Sequence, residues 1–157
     1  MADDLFCVKD RIIVVTGGLG QLGRQFSQAF MDRGAKVAIF DMQTDEQSLS
    51  KRFGGIYSEE RLLVLSVDIT RRDSIQDGLA QVNTKWGVPY GLINNAALDS
   101  PPDARVEENG PFESYPESSW DKIMEVNVKG VFLCCKVIGG QMAAENRGTI
   151  VNISSIY

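Results

Sequence analysis

The sequence predicts an α/β protein built on a doubly wound parallel sheet. Two observations lead to this prediction: short apolar runs recur along the chain, and helical patterns separate them. Strands that are apolar throughout are typical of parallel sheets with helices on both faces. A length of 157 residues, 43% of them hydrophobic, suits one domain over residues 1–157 with a core of its own.

The apolar runs and the patterns between them define the elements in chain order. Five strands are predicted: Ile12–Val15, Val37–Phe40, Leu62–Val67, Leu92-Ile93 and Ile150–Ile153. Four helices are predicted between them: Gln21–Arg33, Thr44–Phe53, a helix lined by Ile75, Leu79, Val82 and Trp86, and a long helix from Ser118 through Ile138. Gly34 suits the position just after the first helix. Two capping boxes, Thr44…Gln47 and Ser118…Asp121, are predicted to open the second and fourth helices.

The composition excludes several functions. The chain has no histidine, which removes Ser-His-Asp and Cys-His catalysis as well as zinc sites built on histidine. Cys7, Cys134 and Cys135 show no C-x-x-C spacing, so no metal site is predicted and the adjacent pair is expected to fill the core. A formal net charge of −5 disfavours nucleic acids and anionic membranes as partners. With an acidic N-terminus and no long apolar stretch, a reduced, cytoplasmic protein is expected.

A glycine-rich segment, Thr16–Gly23, joins the first strand to the first helix. Glycines at such a junction allow a tight turn and let backbone amides approach a pyrophosphate, while the helix N-terminus adds partial positive charge. A glycine-rich turn that only packs a helix on a strand is the alternative. The preceding strand, the following helix and an acid at the end of the second strand favour a dinucleotide site.

That acid is Asp41, which lies 24 residues after Gly17. A carboxylate there accepts hydrogen bonds from the adenosine ribose and repels a 2′-phosphate. No lysine or arginine precedes Gly23 in the glycine loop, so NAD is favoured over NADP. A solvated strand-end acid or a helix cap is the alternative role for Asp41.

Two other nucleotide sites use similar loops. A P-loop requires G-x-x-x-x-G-K-[ST], but Arg24 and Gln25 follow Gly23, so the phosphate-binding lysine and the magnesium-binding hydroxyl are missing. A methyl-donor site that binds S-adenosylmethionine also has a glycine loop after strand one and an acid after strand two. The first half of the chain leaves that alternative open.

Motifs in the second half of the chain separate these alternatives. Asn94–Ala97 follows strand four, Asn127–Gly130 lies within the long helix, and Val151–Ser155 ends strand five. Together with the glycine loop, Asp41 and Asp68-Ile69, they resemble the short-chain dehydrogenase/reductase family in order and spacing, from Arg11 to the last residue. The resemblance implies a Rossmann-type doubly wound fold and an NAD-dependent oxidoreductase.

The resemblance also implies a role for each matching residue. The expected cofactor-binding residues are Gly17, Gly20, Gln21, Leu22, Gly23, Asp41, Asp68, Ile69, Asn95 and Ala96. Of these, Asp41 would bind the ribose, Asp68 and Ile69 would flank the adenine, and the glycine loop would hold the phosphates. Two catalytic residues are expected: Asn127 would hold a water in the proton relay, and Ser155 would hydrogen-bond the substrate oxygen.

The chain departs from the family pattern at three places. Gln21 replaces a glycine, so the loop fits T-G-x-x-G-x-x-G, the spacing of the extended epimerases and dehydratases; the later motifs favour the shorter dehydrogenases. Ala97 replaces a common glycine. The Tyr-x-x-x-Lys expected about a dozen residues after Ser155 is missing, and Tyr157 is too close to serve. We therefore expect the amino-terminal part of a longer enzyme, with five strands present, the carboxyl-terminal strands and helices missing, and this fragment inactive.

The substrate is the least defined part of the prediction. The stretch Leu98–Pro116 leaves the end of strand four with four prolines and an excess of acids, which suits a polyol or sugar but also a solvated loop. The expected reaction is hydride transfer between NAD and a secondary alcohol or ketone, in a homo-oligomer (dimer or tetramer) as in the family. An extended-type sugar-nucleotide epimerase or dehydratase, and a non-catalytic NAD-binding domain, are the alternatives.

Overall fold

The residues that the structure describes form a single parallel sheet of five strands. The computed structural model describes residues 7–42, 44, 53, 60–99 and 106–155. The strands are β1 (Ile12–Thr16), β2 (Lys36–Asp41), β3 (Leu62–Ser66), β4 (Gly91–Asn94) and β5 (Thr149–Asn152). All four pairings are parallel, and the strand order is β3-β2-β1-β4-β5. This confirms the predicted doubly wound sheet, including all five strands.

Helices cover both faces of the sheet. They are α1 (Gln21–Asp32), α2 (Arg72–Lys85), α3 (Glu117–Met124), a π-helical turn (Glu125–Gly130) and α4 (Val131–Ala144), with a short 3₁₀ turn at Phe112–Ser114. Alternate residues of β1 enter two separate cores: Val14 packs with residues of α2 and α4, and Val15 packs on the side that carries Met31 of α1. The helix predicted at Thr44–Phe53, with its capping box, lies outside the described residues apart from its two end positions.

The ends of the helices agree with the sequence at one place and differ at another. Gly34 follows α1 with a φ of +80° and donates its N–H to Met31 O, as predicted for the residue after a helix. The predicted Ser118…Asp121 capping box is wrong. The N-cap is Pro116, which has no side-chain cap, and its carbonyl accepts the N–H groups of Ser119 and Trp120. Ser118 already lies inside the first turn, so its hydroxyl cannot occupy the capping position.

The strand β5 forms an exposed edge of the described sheet. It pairs with β4, and Ile150, Val151 and Ile153 remain 39%, 41% and 40% exposed. Apolar side chains on both faces of an edge strand are uncommon in folded domains, because such edges invite pairing with other chains. The predicted apolar edge at strand five is therefore present in the described part of the chain. Within that part, no helix is long and apolar enough to cross a bilayer.

Candidate active site

The candidate site lies along the carboxyl edge of the sheet. The strand order reverses at β1, which pairs with β2 on one side and β4 on the other. In open α/β sheets the loops diverge at such a reversal and leave a crevice outside the strand ends. The glycine loop after β1, residues 95–99 after β4 and residues 153–155 after β5 all lie at this edge. The topology therefore brings the predicted motifs to one side of the molecule.

The glycine loop turns sharply and touches the loop after β4. Gly17 has a φ of +60°, and its N–H donates to Phe40 O at 2.8 Å. A Cβ on Gly17 would lie 2.8 Å from the Cα of Ala96, which is closer than real side chains approach a backbone. A Cβ on Gly23 would lie 2.8 Å from Asn95 Nδ2. Only glycine at these two positions lets the glycine loop pack so closely against the loop after β4. A bound pyrophosphate would likewise need to approach the backbone of the loop without a side chain in the way.

The helix α1 presents its N-terminus at the crevice. It begins at Gln21, its N-cap is Gly20, and neither a side-chain cap nor an acid occupies the first turn. Gly20, Gln21 and Leu22 are exposed. An N-terminus without a capping side chain directs amide dipoles and partial positive charge towards solvent, which favours an anion.

Asp41 supports the glycine loop. It is the last residue of β2 and is half-buried, and its Oδ2 accepts the N–H of Leu19 at 3.0 Å. The side chain of Leu19 is buried beneath the loop. The carboxylate therefore helps to fix the loop and also lies beside it, where an adenosine ribose is expected.

The hydroxyl of Thr16 joins the two central loops. Its Oγ1 accepts the N–H groups of Asn95 and Ala96, each at 3.0 Å, and it lies 3.4 Å from Ile93 O. Asn95 returns the contact, because its Nδ2 donates to the carbonyls of Thr16 and Gly17 at 3.0 and 3.1 Å. No role for Thr16 was predicted from the sequence. Its hydroxyl, at the end of an otherwise apolar strand, was the feature that could have indicated a polar contact there.

The residues after β3 order the turn into α2. Asp68 Oδ1 accepts the N–H of Thr70 at 2.9 Å and its hydroxyl at 2.7 Å. The side chain of Ile69 is buried in the core, where its Cδ1 packs against Gly130 of the π-helical turn. A ligand that reaches Ile69 would therefore meet its main chain.

Asn127 anchors the start of the long loop after β4. Its Oδ1 accepts the N–H of Leu98 at 2.8 Å, and its Nδ2 donates to Leu98 O at 2.8 Å. The side-chain amide thus pairs with a backbone segment as a neighbouring strand would. A second contact ties the loop to α3, where Ser119 Oγ donates to Glu108 Oε1 at 2.8 Å. The loop is therefore held at Leu98 by the π-helical turn and at Glu108 by α3.

Ser155 follows β5 at the same edge and is exposed. The ladder continues one residue past the strand, since Ile153 N donates to Asn94 O at 2.9 Å. Tyr157, which the sequence excluded as the family's tyrosine, lies outside the described residues.

The adjacent cysteines differ in environment. Cys134 is buried, and desolvation, with a smaller contribution from Cys135, raises the pKa of its thiol to about 12. A thiol with so high a pKa remains neutral and is a poor nucleophile, which fits the predicted core-filling role. In the described residues, no group of three or more acidic or cysteine side chains is placed to hold a metal ion.

Comparison with known families identifies the family of this chain. The family model described as short chain dehydrogenase matches residues 11–157. The chain belongs to the short chain dehydrogenase family. The predicted family membership is thus confirmed over nearly the whole chain, with the glycine loop and the motifs after β4 and β5 inside the match.

Two curated members of the family are longer than this chain. The NAD-dependent glycerol dehydrogenase of Listeria innocua serovar 6a is 33% identical over 153 residues, which are 98% of this chain and 56% of that protein. The sorbitol-6-phosphate 2-dehydrogenase of Klebsiella pneumoniae is 28% identical over 150 residues, which are 94% of this chain and 53% of that protein. The chain spans about half the length of the curated relatives it matches.

A solved member of the family has the same fold. The crystal structure of a short-chain type dehydrogenase/reductase from Mycobacterium marinum aligns with a TM-score of 0.83 at 24% identity. The alignment covers 98% of this chain and 59% of that one. The fold described above is therefore also the fold of that solved dehydrogenase/reductase.

Proposed function

We propose that the whole protein is an NAD-dependent oxidoreductase that transfers hydride between NAD and a secondary alcohol or ketone. The observation that carries this proposal is the crevice at the reversal of strand order, where the glycine loop, Asp41 and Ser155 share one edge of the sheet. The glycerol and sorbitol-6-phosphate dehydrogenases among its relatives support a polyol or sugar as the substrate.

The residues of the crevice suit NAD. The amides of Gly20, Gln21 and Leu22 at the start of α1 would hold the pyrophosphate, close to a backbone that Gly17 and Gly23 keep free of side chains. Asp41 would accept hydrogen bonds from the ribose hydroxyls and repel a 2′-phosphate, which favours NAD over NADP. Asp68 and the main chain of Ile69 would lie beside the adenine. Asn95 and Ala96 would line the crevice where β4 ends.

When bound, NAD would supply the chemistry of hydride acceptance from the substrate carbon. The hydroxyl of Ser155 would hydrogen-bond the substrate oxygen and orient the reacting carbon. Asn127 would keep the loop after β4 in place through Leu98 and hold a water in the proton relay. The proton must leave the substrate hydroxyl as hydride is transferred, and a positioned base contributes about 10²–10⁴-fold to such a step. The 157 residues contain no Tyr-x-x-x-Lys after Ser155 to supply that base.

One sequence feature favours a second candidate function. The loop spacing T-G-x-x-G-x-x-G suits an extended-type sugar-nucleotide epimerase or dehydratase, in which NAD is reduced and reoxidised within one catalytic cycle. A non-catalytic NAD-binding domain is the third candidate. Net release of NADH distinguishes the dehydrogenase from both of the others.

The test is a turnover assay of the whole protein with NAD and a panel of polyols and sugars, followed by NADH absorbance. We expect turnover with at least one secondary alcohol. Ser155→Ala should remove that turnover and leave NAD affinity unchanged, because the proposed contact of Ser155 is with the substrate oxygen and not with NAD. Unchanged turnover in Ser155→Ala, or NADP used as well as NAD, would contradict the assignment.

We also propose that the protein assembles with a second copy through α3, the π-helical turn and α4. Three apolar side chains, Met124, Val128 and Phe132, line a shallow groove there and are 37%, 53% and 58% exposed. Asp121 and Glu125 border its N-terminal half, and Lys129 borders its C-terminal half. Antiparallel packing about a two-fold axis would bring the same apolar side chains of the two copies together, with the Glu125–Lys129 ion pair of each copy at the border. Such a face is self-complementary, as an isologous interface needs.

Sedimentation velocity tests this interface. The whole protein should sediment as a dimer or larger oligomer, and Val128→Asp should shift it to the monomer because a charge enters the apolar groove. Gln81→Glu, on the exposed surface of α2, is the control and should leave the oligomer intact. A monomeric wild type, or an intact oligomer in Val128→Asp, would contradict the proposal.

The free cysteines of the described residues are compatible with the reducing cytoplasm, which is the location we propose.

A further inference from the structure

A cluster of two amides and a thiol joins β4, β5 and α4 beside the candidate active site. Asn94 Nδ2 donates to Asn152 Oδ1 at 2.8 Å and to Cys135 Sγ at 3.3 Å. The sulfur also lies 3.9 Å from Asn152 Oδ1, which closes the triangle. Asn94 and Asn152 are paired residues at the last position of their strands. The cluster therefore fixes the ends of β4 and β5 to each other and to α4.

The position of Asn94 connects the two halves of the site. The next residue in the chain is Asn95, which contacts the glycine loop. The carbonyl of Asn94 accepts the N–H of Ile153, two residues before Ser155. The main chain and the side chain of Asn94 thus both hold the segment that leads to the serine, while its neighbour belongs to the cofactor side.

Asn94 is buried although the oxygen of its side-chain amide accepts no hydrogen bond from the described residues, which is unusual for a buried amide. The residue is 2% exposed, and no donor among the residues that the structure describes reaches its Oδ1. A buried acceptor without a partner costs about 1–3 kcal/mol by general experience with such groups. An apolar side chain of similar shape would avoid that penalty, so stability alone does not account for an asparagine at this position.

We propose that Asn94 is a positioning residue, which through its hydrogen bond to Asn152 sets the exit of β5 and hence the distance between Ser155 and the cofactor. This inference rests on the proposed function, since it concerns the same site. It assigns Asn94 no contact with substrate or cofactor. It predicts that loss of the side-chain amide changes kcat and leaves both NAD binding and folding stability intact.

The test is Asn94→Leu in the whole protein. Leucine has nearly the same shape and removes the unpartnered Oδ1, so the melting temperature should stay the same or rise. The kcat should fall by roughly 10-fold or more, because small displacements of reacting groups cost rates of that order. The dissociation constant for NAD should stay within about 2-fold of the wild-type value. A change that small means that no contact to the pyrophosphate or the ribose has been lost.

Two further variants decide whether the amide pair acts as a unit. Asn152→Ala should lower kcat as much as Asn94→Leu, and the double variant should be no slower than either single variant. Cys135→Ala is the matched control, since it keeps the Asn94–Asn152 bond and should retain most of the wild-type kcat. Unchanged kcat in Asn94→Leu would overturn the proposal, as would parallel loss of kcat, NAD affinity and stability. A wild type that neither binds NAD nor turns over would instead contradict the proposed function.

Discussion

Replacing Thr16 with valine removes the hydroxyl that joins the glycine loop to the loop after β4. Valine has the same shape, so the apolar contacts at the end of β1 stay. The N–H groups of Asn95 and Ala96 lose the oxygen that accepts both of them at 3.0 Å. Thr16 itself is 1% exposed, so no water can take the place of the hydroxyl without local rearrangement.

The size of the effect follows from those two bonds. An amide that loses its buried partner costs about 1–3 kcal/mol, so two would cost roughly 2–6 kcal/mol. Asn95 and Ala96 are only half-buried, so a local rearrangement can turn their N–H groups towards solvent, and a smaller cost of about 2–3 kcal/mol is expected. Thr16→Ser keeps the hydroxyl and loses one methyl group, which costs about 1 kcal/mol. Valine should therefore be the more destabilising substitution by about 1–2 kcal/mol.

Urea unfolding followed by circular dichroism measures both variants. If the free energy of unfolding falls with urea at the same slope in both variants, their unfolded states are comparable. The difference in midpoint multiplied by that slope then gives the difference in stability. We also expect weaker NAD binding by Thr16→Val, because Asn95 and Ala96 line the crevice. If Thr16→Val is as stable as Thr16→Ser and binds NAD equally well, the hydroxyl does not organise the site.

Three other outcomes can be measured directly. Asp41→Ser should narrow the preference for NAD over NADP in the whole protein, because the repulsion of the 2′-phosphate is lost; it should also lower the stability slightly, because the bond to Leu19 N weakens. Burial raises the pKa of Cys134 to about 12, so at pH 8 a thiol reagent should modify exposed Cys7 and leave Cys134 unmodified until the chain unfolds, as peptide mass mapping would show. A polypeptide of residues 1–157 should show no NADH formation above background with any polyol that the whole protein oxidises, and a comparable rate would mean that the base lies within this chain.

The sheet was predictable because its signals are local. Runs such as Ile12–Val15 and Val37–Phe40 are apolar throughout, and only a sheet covered on both faces buries such a run completely. The glycine loop and Asp41 were predictable for a similar reason, since a strand, a turn and a helix follow one another within a few residues. Gly34 could be placed because a positive φ after a helix favours glycine.

The contacts within the site depend on residues distant in sequence, and the sequence could not supply them. Asn127 pairs with Leu98, 29 residues earlier, and Thr16 pairs with Asn95, 79 residues later. Ile69 follows the half-buried acid Asp68, yet its own side chain lies in the core because the π-helical turn packs over it. The capping box at Ser118 failed because Pro116 ends the preceding segment two residues earlier and its own carbonyl closes the first turn.

Calorimetric titration of NAD into the wild type and into Gly17→Val tests the central claim most directly. A valine at residue 17 combines a strained φ of +60° with a Cβ only 2.8 Å from Ala96 Cα, so it closes the approach to the pyrophosphate. We expect saturable NAD binding by the wild type and none by Gly17→Val, with circular dichroism confirming that the variant is folded. NAD affinity that is unchanged in a folded Gly17→Val protein would contradict the assignment of the glycine loop as the dinucleotide site.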